Sequence, residues 1–569
     1  MTETSVRPTP AKNPHPPGSG RHAAVVAAGI FLSRIAGLVR QRVFAYYLGS
    51  GAVAGVFNAA LRIPNLLQNL LGEGVLSSSF IPVYANLRAR GEEDEADRLA
   101  GAAAGLLAAA TAVLVLGGMF ATPAIVRVIT PGLTGEDHAL AIRLVRILFP
   151  ALGTLVLSAW CLGVLNSHRR FFLSYAAPVV LNGVVVVALV AAGLATRGEG
   201  ERLVRETRIA GWVAWGYVAG AAAQLAVQLP ATLRLLGRRF RPSLDTAGAA
   251  IRTVLHNFFP ALVGRGVVQL SAFVDIVFAS YVGTRGLAVL GYQQTLYLLP
   301  ISLFGMAISA SELPAMSSAV GSAEAVAAEL RGRLEGGLRR LAFFVVPSAA
   351  AFLLLGDVVA GALFQTGQQR AADTRYLWLV LMGSTIGLLP ATMGRLYASA
   401  FYALKDARTP LRFAIVRLAL GAALAWWSVV WMPDLLGVPQ EMGLVGITTA
   451  SGLAAWLEYA LLRRALERRI GRTGLRDRTV ARLWACAAVA GGAGLLVKVG
   501  LEGWGGPMPG VNQQWGGGFL PPPDMHPGLA AIPILGAYGA IYLALALGTA
   551  PGGARAALAR VRRRQSRTA

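Results

Sequence analysis

Residues 31–50 read FLSRIAGLVRQRVFAYYLGS. The stretch is apolar enough to lie in a lipid bilayer, yet Arg34, Arg40 and Arg42 fall inside it. Arginine at the centre of a membrane span costs about 2.5–3.5 kcal/mol on insertion scales. The fold turns on whether this is a membrane helix, and the function on what such a helix does with three arginines.

Composition settles the first point. The chain has 569 residues, 55% hydrophobic and only 14% charged, against about 25% charged in soluble domains. That defines an all-α polytopic membrane protein and excludes disordered and fibrous classes. The net charge of +24 comes almost wholly from arginine. The cations are spread over short loops between apolar runs, which is a topological pattern and not a nucleic-acid patch.

Apolar runs of about 20 residues give fourteen expected spans, near 22–48, 52–87, 99–121, 139–166, 172–196, 209–232, 253–282, 286–318, 337–362, 376–403, 411–432, 442–462, 481–500 and 528–550. Several exceed what a bilayer needs and should tilt or bend, as at Pro64, Pro300 and Pro390. With both termini in the cytoplasm, 34 Lys and Arg fall in cytoplasmic segments and nine in outer loops, Lys498 among the nine. This asymmetry obeys the positive-inside rule. The Pro-rich segment 1–21 reads as disordered and is not a signal peptide. The outer loop near 501–527 reads as an irregular interfacial segment, and the basic tail as lying on anionic head groups.

Nine basic residues remain inside spans: Arg34, Arg40, Arg42, Arg62, Arg143, Arg146, Arg265, Arg395 and Arg417. At 1.5 Å per residue, Arg34 lies about 18 Å from the cytoplasmic start of the first span and Arg62 about 15 Å from the outer start of the second. Both are near mid-bilayer on adjacent antiparallel helices, so each should face a wet cavity or a carboxylate. For Arg40, Arg42, Arg143 and Arg146, snorkelling to the surface competes. Intramembrane acids are few: Glu73, Asp275, Glu312 and Glu458. Internal ion pairing is one account of the arginines. Their excess over acids in the first two spans favours another, a positive cavity for an anion, and the forked guanidinium suits phosphate. Ser33, Asn58, Asn65, Gln68, Asn69 and Ser77–Ser79 add polar groups to that hairpin, although Ser and Asn also serve helix–helix hydrogen bonding.

No Walker loop, metal-ligand spacing or catalytic constellation is present, so no enzyme activity, metal or organic cofactor is expected. Cys161 and Cys486 lie in apolar runs and read as buried free thiols. A weak internal echo pairs Tyr47-Leu48-Gly49-Ser50 with Tyr281-Val282-Gly283-Thr284, each followed by a helix with two prolines, Pro64 and Pro82 or Pro300 and Pro314. Repeated halves are a transporter trait.

The runs FLSRIAGLVRQ, YYLGSG and LRIPNLLQNLLGEGVLSSSFIPVYA, with LNSHRRFFLSYAAPVVLN (165–182), VDIVFASYVG (274–283), LYLLPISLFGMAIS (296–309) and YASAFYALKDARTPLRFAI (397–415), resemble the MurJ (MviN) lipid II flippases in order and over most of the chain. The resemblance implies the multidrug/oligosaccharidyl-lipid/polysaccharide exporter fold. That fold has two six-helix lobes in a V, here 22–240 and 241–470, two further helices in 471–552 forming a lipid-tail groove, and a basic tail at 553–569. It implies flipping of lipid II, an undecaprenyl-pyrophosphate-linked disaccharide pentapeptide, across the bacterial cytoplasmic membrane by alternating access. It also implies work alongside cell-wall synthesis proteins, with no nucleic acid partner, and the expected state is a monomer.

By motif, Ser33, Arg34, Arg40, Arg62, Asn65 and Glu73 would bind the substrate or gate the cavity. Gln68 on the same hairpin is a further cavity candidate. The intramembrane acids Asp275 and Glu312 are candidates for gating or for coupling to Na⁺ or H⁺, membrane potential being the other energy source. Relatives carry arginine where this chain has Gln68 and Thr295. Arg265 is the expected substitute. Export of another polyprenyl-pyrophosphate-linked glycan, or a scaffold role without transport, are the competing readings.

Overall fold

The computed structural model describes residues 19–237, 240–319, 321–475, 478–503 and 526–549. The expected disordered N-terminus, the loop near 501–527 (apart from its first and last few residues) and the basic tail lie outside them. The side chains of Glu73 and Arg265 are also outside the described set, although both backbones are helical.

Among the described residues there are helices and no strands. In chain order the helices are α1 (Ser19–Leu48), α2 (Ala52–Leu71), α3 (Glu73–Ala89), α4 (Glu93–Ile129), α5 (Gly135–Ser167), α6 (Phe171–Ala195), α7 (Arg202–Leu236), α8 (Ala249–Val282), α9 (Thr284–Pro300), α10 (Ala307–Ser317), α11 (Ala323–Phe364), α12 (Ala371–Thr385), α13 (Leu388–Ala403), α14 (Arg408–Val430), the short α15 (Met432–Leu436), α16 (Gly443–Ile470), α17 (Thr479–Gly503) and α18 (Pro527–Thr549). Three crossings are broken in two: α2 with α3, α9 with α10 through a π-helical turn at Ile301–Met306, and α12 with α13. Counted so, the fourteen expected crossings are all represented.

Among the described residues, ten crossings contain a window long and apolar enough to cross a membrane by composition alone. Of the rest, α2–α3 carries Asn58, Arg62, Asn65, Gln68 and Asn69, and α7 carries Gln224 and Gln228. Low hydropathy marks helices that present polar faces to the protein interior or to water in place of lipid.

The breaks have local causes, and one differs from expectation. Pro64 sits inside a continuous α2, and the interruption falls eight residues later at Gly72, whose ψ of −141° is non-helical. A Cβ there would lie 2.5 Å from the Gln68 carbonyl, so glycine permits a turn that proline alone does not impose. Pro300 does precede a bend, the π turn. Pro390 falls in the first turn of α13, where its missing N–H leaves no bond unmade.

The echo between halves is structural. The second crossing of each half is interrupted midway, at Gly72 or at Ile301–Met306. The loops after α5 and α13 share one motif. Arg169 and Lys405 both have φ near +60°. The N–H groups of Arg170 and Asp406 reach back to the carbonyls of Leu165 and Phe401, a Schellman closure in each. In the second loop Asp406 caps α14 through Arg408 N, Thr409 N and Thr409 Oγ1 and meets Arg469 from α16 at 2.6 Å. This explains why the KDARTP stretch is so distinctive a string.

In the first loop His168 Nε2 lies 3.1 Å from the Tyr84 hydroxyl. Burial, aided by Arg88 and Arg170, pushes its pKa down to about 4, so His168 is neutral at pH 7 and accepts from Tyr84. An unfolded histidine titrates near 6.5. Stability from this group is therefore complete above pH ~6.5 and is lost as pH falls toward ~4. The melting temperature of detergent-solubilised protein is expected to be lower at pH 5 than at pH 7.5. His168→Gln should narrow that difference, and an unchanged difference would count against the assignment.

The first lobe comprises α1–α7. Its helix α1 packs along α6 from Gly29 against Tyr175 at one end to Tyr47 against Gly193 at the other. The second lobe begins with α8, which leans on both lobes. Its start follows a strand-like linker held by Ser243 N to Gly101 O on α4, and its far half packs Phe278 against Trp426 of α14.

The α17–α18 hairpin is fastened to α11 at three points. Pro347 has no N–H, which leaves the Phe343 carbonyl without its helical donor, and the Tyr542 hydroxyl fills that place at 2.7 Å. Tyr538 donates to the Pro347 carbonyl at 2.6 Å. Lys498 forms an ion pair with Asp357, each side chain 4% exposed, beside a non-helical residue, Leu355. Lys498 is thus not an outer-loop cation: it is a buried residue of α17.

Candidate anion-binding cluster between the lobes

The two lobes close on each other at the end that carries the α1–α2 turn. Arg42 donates from α1 to the Ala362 and Leu363 carbonyls at 2.6 and 2.9 Å, two of the orphan acceptors at the end of α11. Gln368 N donates to Tyr46 O, Ser50 Oγ to Gln369 Oε1 at 2.8 Å, and Tyr292 Oη to Gly49 O at 2.6 Å. Asn58 Nδ2 approaches Ala288 O at 3.4 Å. On the second-lobe side, Arg285 is fixed by Asp373 and Glu441 at 2.9 and 2.8 Å.

Gly55 is the closest point of this seam. A Cβ on it would lie 1.9 Å from the Thr284 carbonyl oxygen, backbone against backbone, so no side chain can swing aside. Gly55→Leu is expected to part the lobes at this end. A spin-label pair across the seam should report a longer mean distance than in the wild type. An unchanged distance distribution would show that the seam does not control closure.

Away from the seam, charged groups from both lobes come together. On the first lobe, Tyr217 of α7 donates to Asn65 Oδ1 at 3.1 Å, with Arg40 within electrostatic range of Tyr217. Arg62, half-buried on α2, lies within electrostatic range of Asp275 on α8. On the second lobe, Asp275 accepts from Ser451 at 3.0 Å, and Arg417 of α14 pairs with Glu458 of α16 at 3.0 Å. Arg395 of α13 neighbours Arg417, Glu458 and Tyr297. Three arginines, Arg62, Arg395 and Arg417, thus stand about the carboxylates Asp275 and Glu458, with Arg40 beside Tyr217, and cation is in excess. Guanidinium groups in excess over carboxylates suit an anion with several oxygens.

The expected site residues divide. Arg40, Arg62, Asn65 and Asp275 join this cluster. Gln68 is half-buried on the same helix, one turn beyond Asn65, and its carbonyl accepts from Gly72 at the break. Ser33 is half-buried on α1, and Arg34 is exposed and makes no ion pair among the described residues. Glu312 stands apart, paired with Arg340 where α10 meets α11. Thr295 turns its hydroxyl to the Gly291 carbonyl. Arg395 and Arg417 are in-span cations of the second lobe that meet at Glu458. Sequence reading counted them among in-span arginines but did not group them.

A two-lobe helical bundle, closed at one end and lined between the lobes with excess arginine, defines an alternating-access membrane transporter for an anionic substrate. The family model described as lipid II flippase MurJ matches residues 44–508. The chain belongs to the lipid II flippase MurJ family. A lipid II flippase MurJ of Burkholderia cenocepacia is 29% identical over 92% of this chain and 96% of its own length. A probable lipid II flippase MurJ of Vibrio cholerae is 30% identical, covering 78% and 82%. Among solved structures, a lipid II flippase MurJ in an inward closed conformation matches with a TM-score of 0.70 at 18% identity over 92% of this chain and 98% of that one. A multidrug resistance transporter of the MATE family, inward-facing, matches at 0.60 and 18% over 78% and 98%. These structural likenesses establish the fold.

Proposed function

We propose that this protein flips lipid II from the inner to the outer leaflet of the cytoplasmic membrane by alternating access. The observation that carries the reading is the arginine-rich cluster shared by both lobes, in a chain of this family. The pyrophosphate diester offers several oxygens to Arg62, Arg40, Arg395 and Arg417, and attraction in a partly desolvated site draws the lobes together around it. With Lys498 inside α17, the 34-to-eight distribution of loop cations supports cytoplasmic termini, and with that orientation the closed α1–α2 end is the outer gate. Arg42, Ser50, Tyr292 and Gly55 hold this gate shut while substrate loads from inside. Release requires those contacts to break as the lobes rock.

The α17–α18 hairpin, fastened to α11, moves with the second lobe, which suits a guide for the polyprenyl tail. Asp275 is the coupling candidate, because a proton or Na⁺ on its carboxylate would alter the field on Arg62 and Arg417. Flipping at zero potential, with and without Na⁺, tests it: insensitivity to pH, Na⁺ and potential would remove Asp275 from that role. The function itself is tested by complementation of a MurJ-depleted bacterium. Rescue of growth is expected. Failure at normal expression would favour another polyprenyl-linked glycan or a scaffold.

A further inference from the structure

A groove of about 650 Å³ lies between the starts of α5 and α7 at the α1–α2 end of the first lobe. Among the described residues, these two helices line it. From α5 come Glu136, Leu140 and Arg143, and from α7 Arg208, Trp212 and Trp215, spaced three, four or seven apart so that one face of each helix forms a wall. Arg143 lies about 12 Å and Arg208 about 9 Å into their helices, so the two cations share a level. The tryptophans follow one and two turns deeper and are 51% and 60% exposed. Gly211 forms the floor, and a Cβ built there meets nothing within 4 Å.

Arg208 is paired with Glu199. Arg143 is exposed and makes no ion pair among the described residues. Helix α5 is longer than the hydrocarbon core is thick, so a guanidinium about 12 Å from its start lies at the head-group level, where it attracts lipid phosphate. The order along the groove is cation first, then aromatic and apolar surface, with tryptophan at the level it favours in membrane interfaces. That is the order of an anionic phospholipid, phosphate above and acyl chain below.

The geometry points to a structural lipid site on the first lobe: an anionic phospholipid of the leaflet at this end, its phosphate on Arg143 and its acyl chain laid along Leu140, Gly211 and Trp215. The site is separate from the inter-lobe cluster and takes a resident lipid, not the transported one. It rests on the bilayer reading of the helices and not on the identity of the substrate.

The test is native mass spectrometry of the full-length protein titrated with dioleoylphosphatidylglycerol or dioleoylphosphatidylcholine. The wild type should hold one phosphatidylglycerol more tightly than any phosphatidylcholine. Arg143→Ala should weaken that binding about fivefold or more. Gly211→Leu, whose side chain enters open space and leaves the charges in place, should weaken it as well. Neither variant should change phosphatidylcholine binding. Equal retention of phosphatidylglycerol by the wild type and both variants, or no preference over phosphatidylcholine in the wild type, overturns the site.

Discussion

Arg62→Ala is expected to slow lipid II flipping in proteoliposomes by about two orders of magnitude with the fold intact. Truncating one member of a desolvated, hydrogen-bonded charge pair costs about 2–5 kcal/mol, and each 1.36 kcal/mol is tenfold in rate. Arg62→Lys should retain part of the rate, since it keeps the charge and loses the fork. The second-site variant separates two roles. If Arg62 served only to neutralise Asp275, adding Asp275→Asn would restore transport, because no uncompensated carboxylate would remain. If Arg62 holds phosphate, the double variant stays as slow as the single one. We expect the latter, because Asp275 also has Ser451 as a hydrogen-bond donor and Arg417 as a nearby cation.

Lys498→Met is expected to destabilise the protein by about 3–5 kcal/mol, the cost of leaving one member of a buried ion pair alone. Asp357 has a second carboxylate oxygen, Oδ1, that is buried without a hydrogen-bond partner, so it has little to fall back on. The readout is thermal unfolding of the purified protein. Lys498→Met with Asp357→Leu should recover most of the loss, since apolar replacement of a whole buried pair is often neutral or stabilising. A single variant that melts with the wild type would mean that the pair is open to water in the membrane. Loss of this contact also loosens one of the three attachments of the α17–α18 hairpin, so the single variant should lose transport before it loses Tyr538 and Tyr542 packing.

Much of this was legible from residue order. The fourteen crossings followed from runs of apolar residues, and the halves from a four-residue echo that the structure extends to matching helix breaks and matching Schellman loops. The crossing with the densest polar content, α2–α3, supplies Arg62 and Asn65 to the inter-lobe cluster, so the departure from a simple membrane pattern was itself the signal.

Depth could be counted from the sequence, but direction around the helix axis could not. Arg395 and Arg417 lie on different helices and converge only in three dimensions, on Glu458 and Tyr297. Lys498 was misassigned because it falls near a span boundary, where a lysine reads as loop until its partner is seen. That partner, Asp357, lies close to the end of α11 and was passed over for the same reason. The break at Gly72 was hidden by the more conspicuous Pro64.

The central claim is that lipid II passes between the lobes and leaves through the end now closed by Ser50 and Gln369. The most direct measurement is the rate at which lipid II crosses the bilayer of proteoliposomes containing the Ser50→Cys/Gln369→Cys variant, before and after oxidation. The account predicts that the disulfide stops flipping and that reductant restores it to the rate of the unoxidised variant. Flipping that continues unchanged across a fully formed disulfide would contradict it.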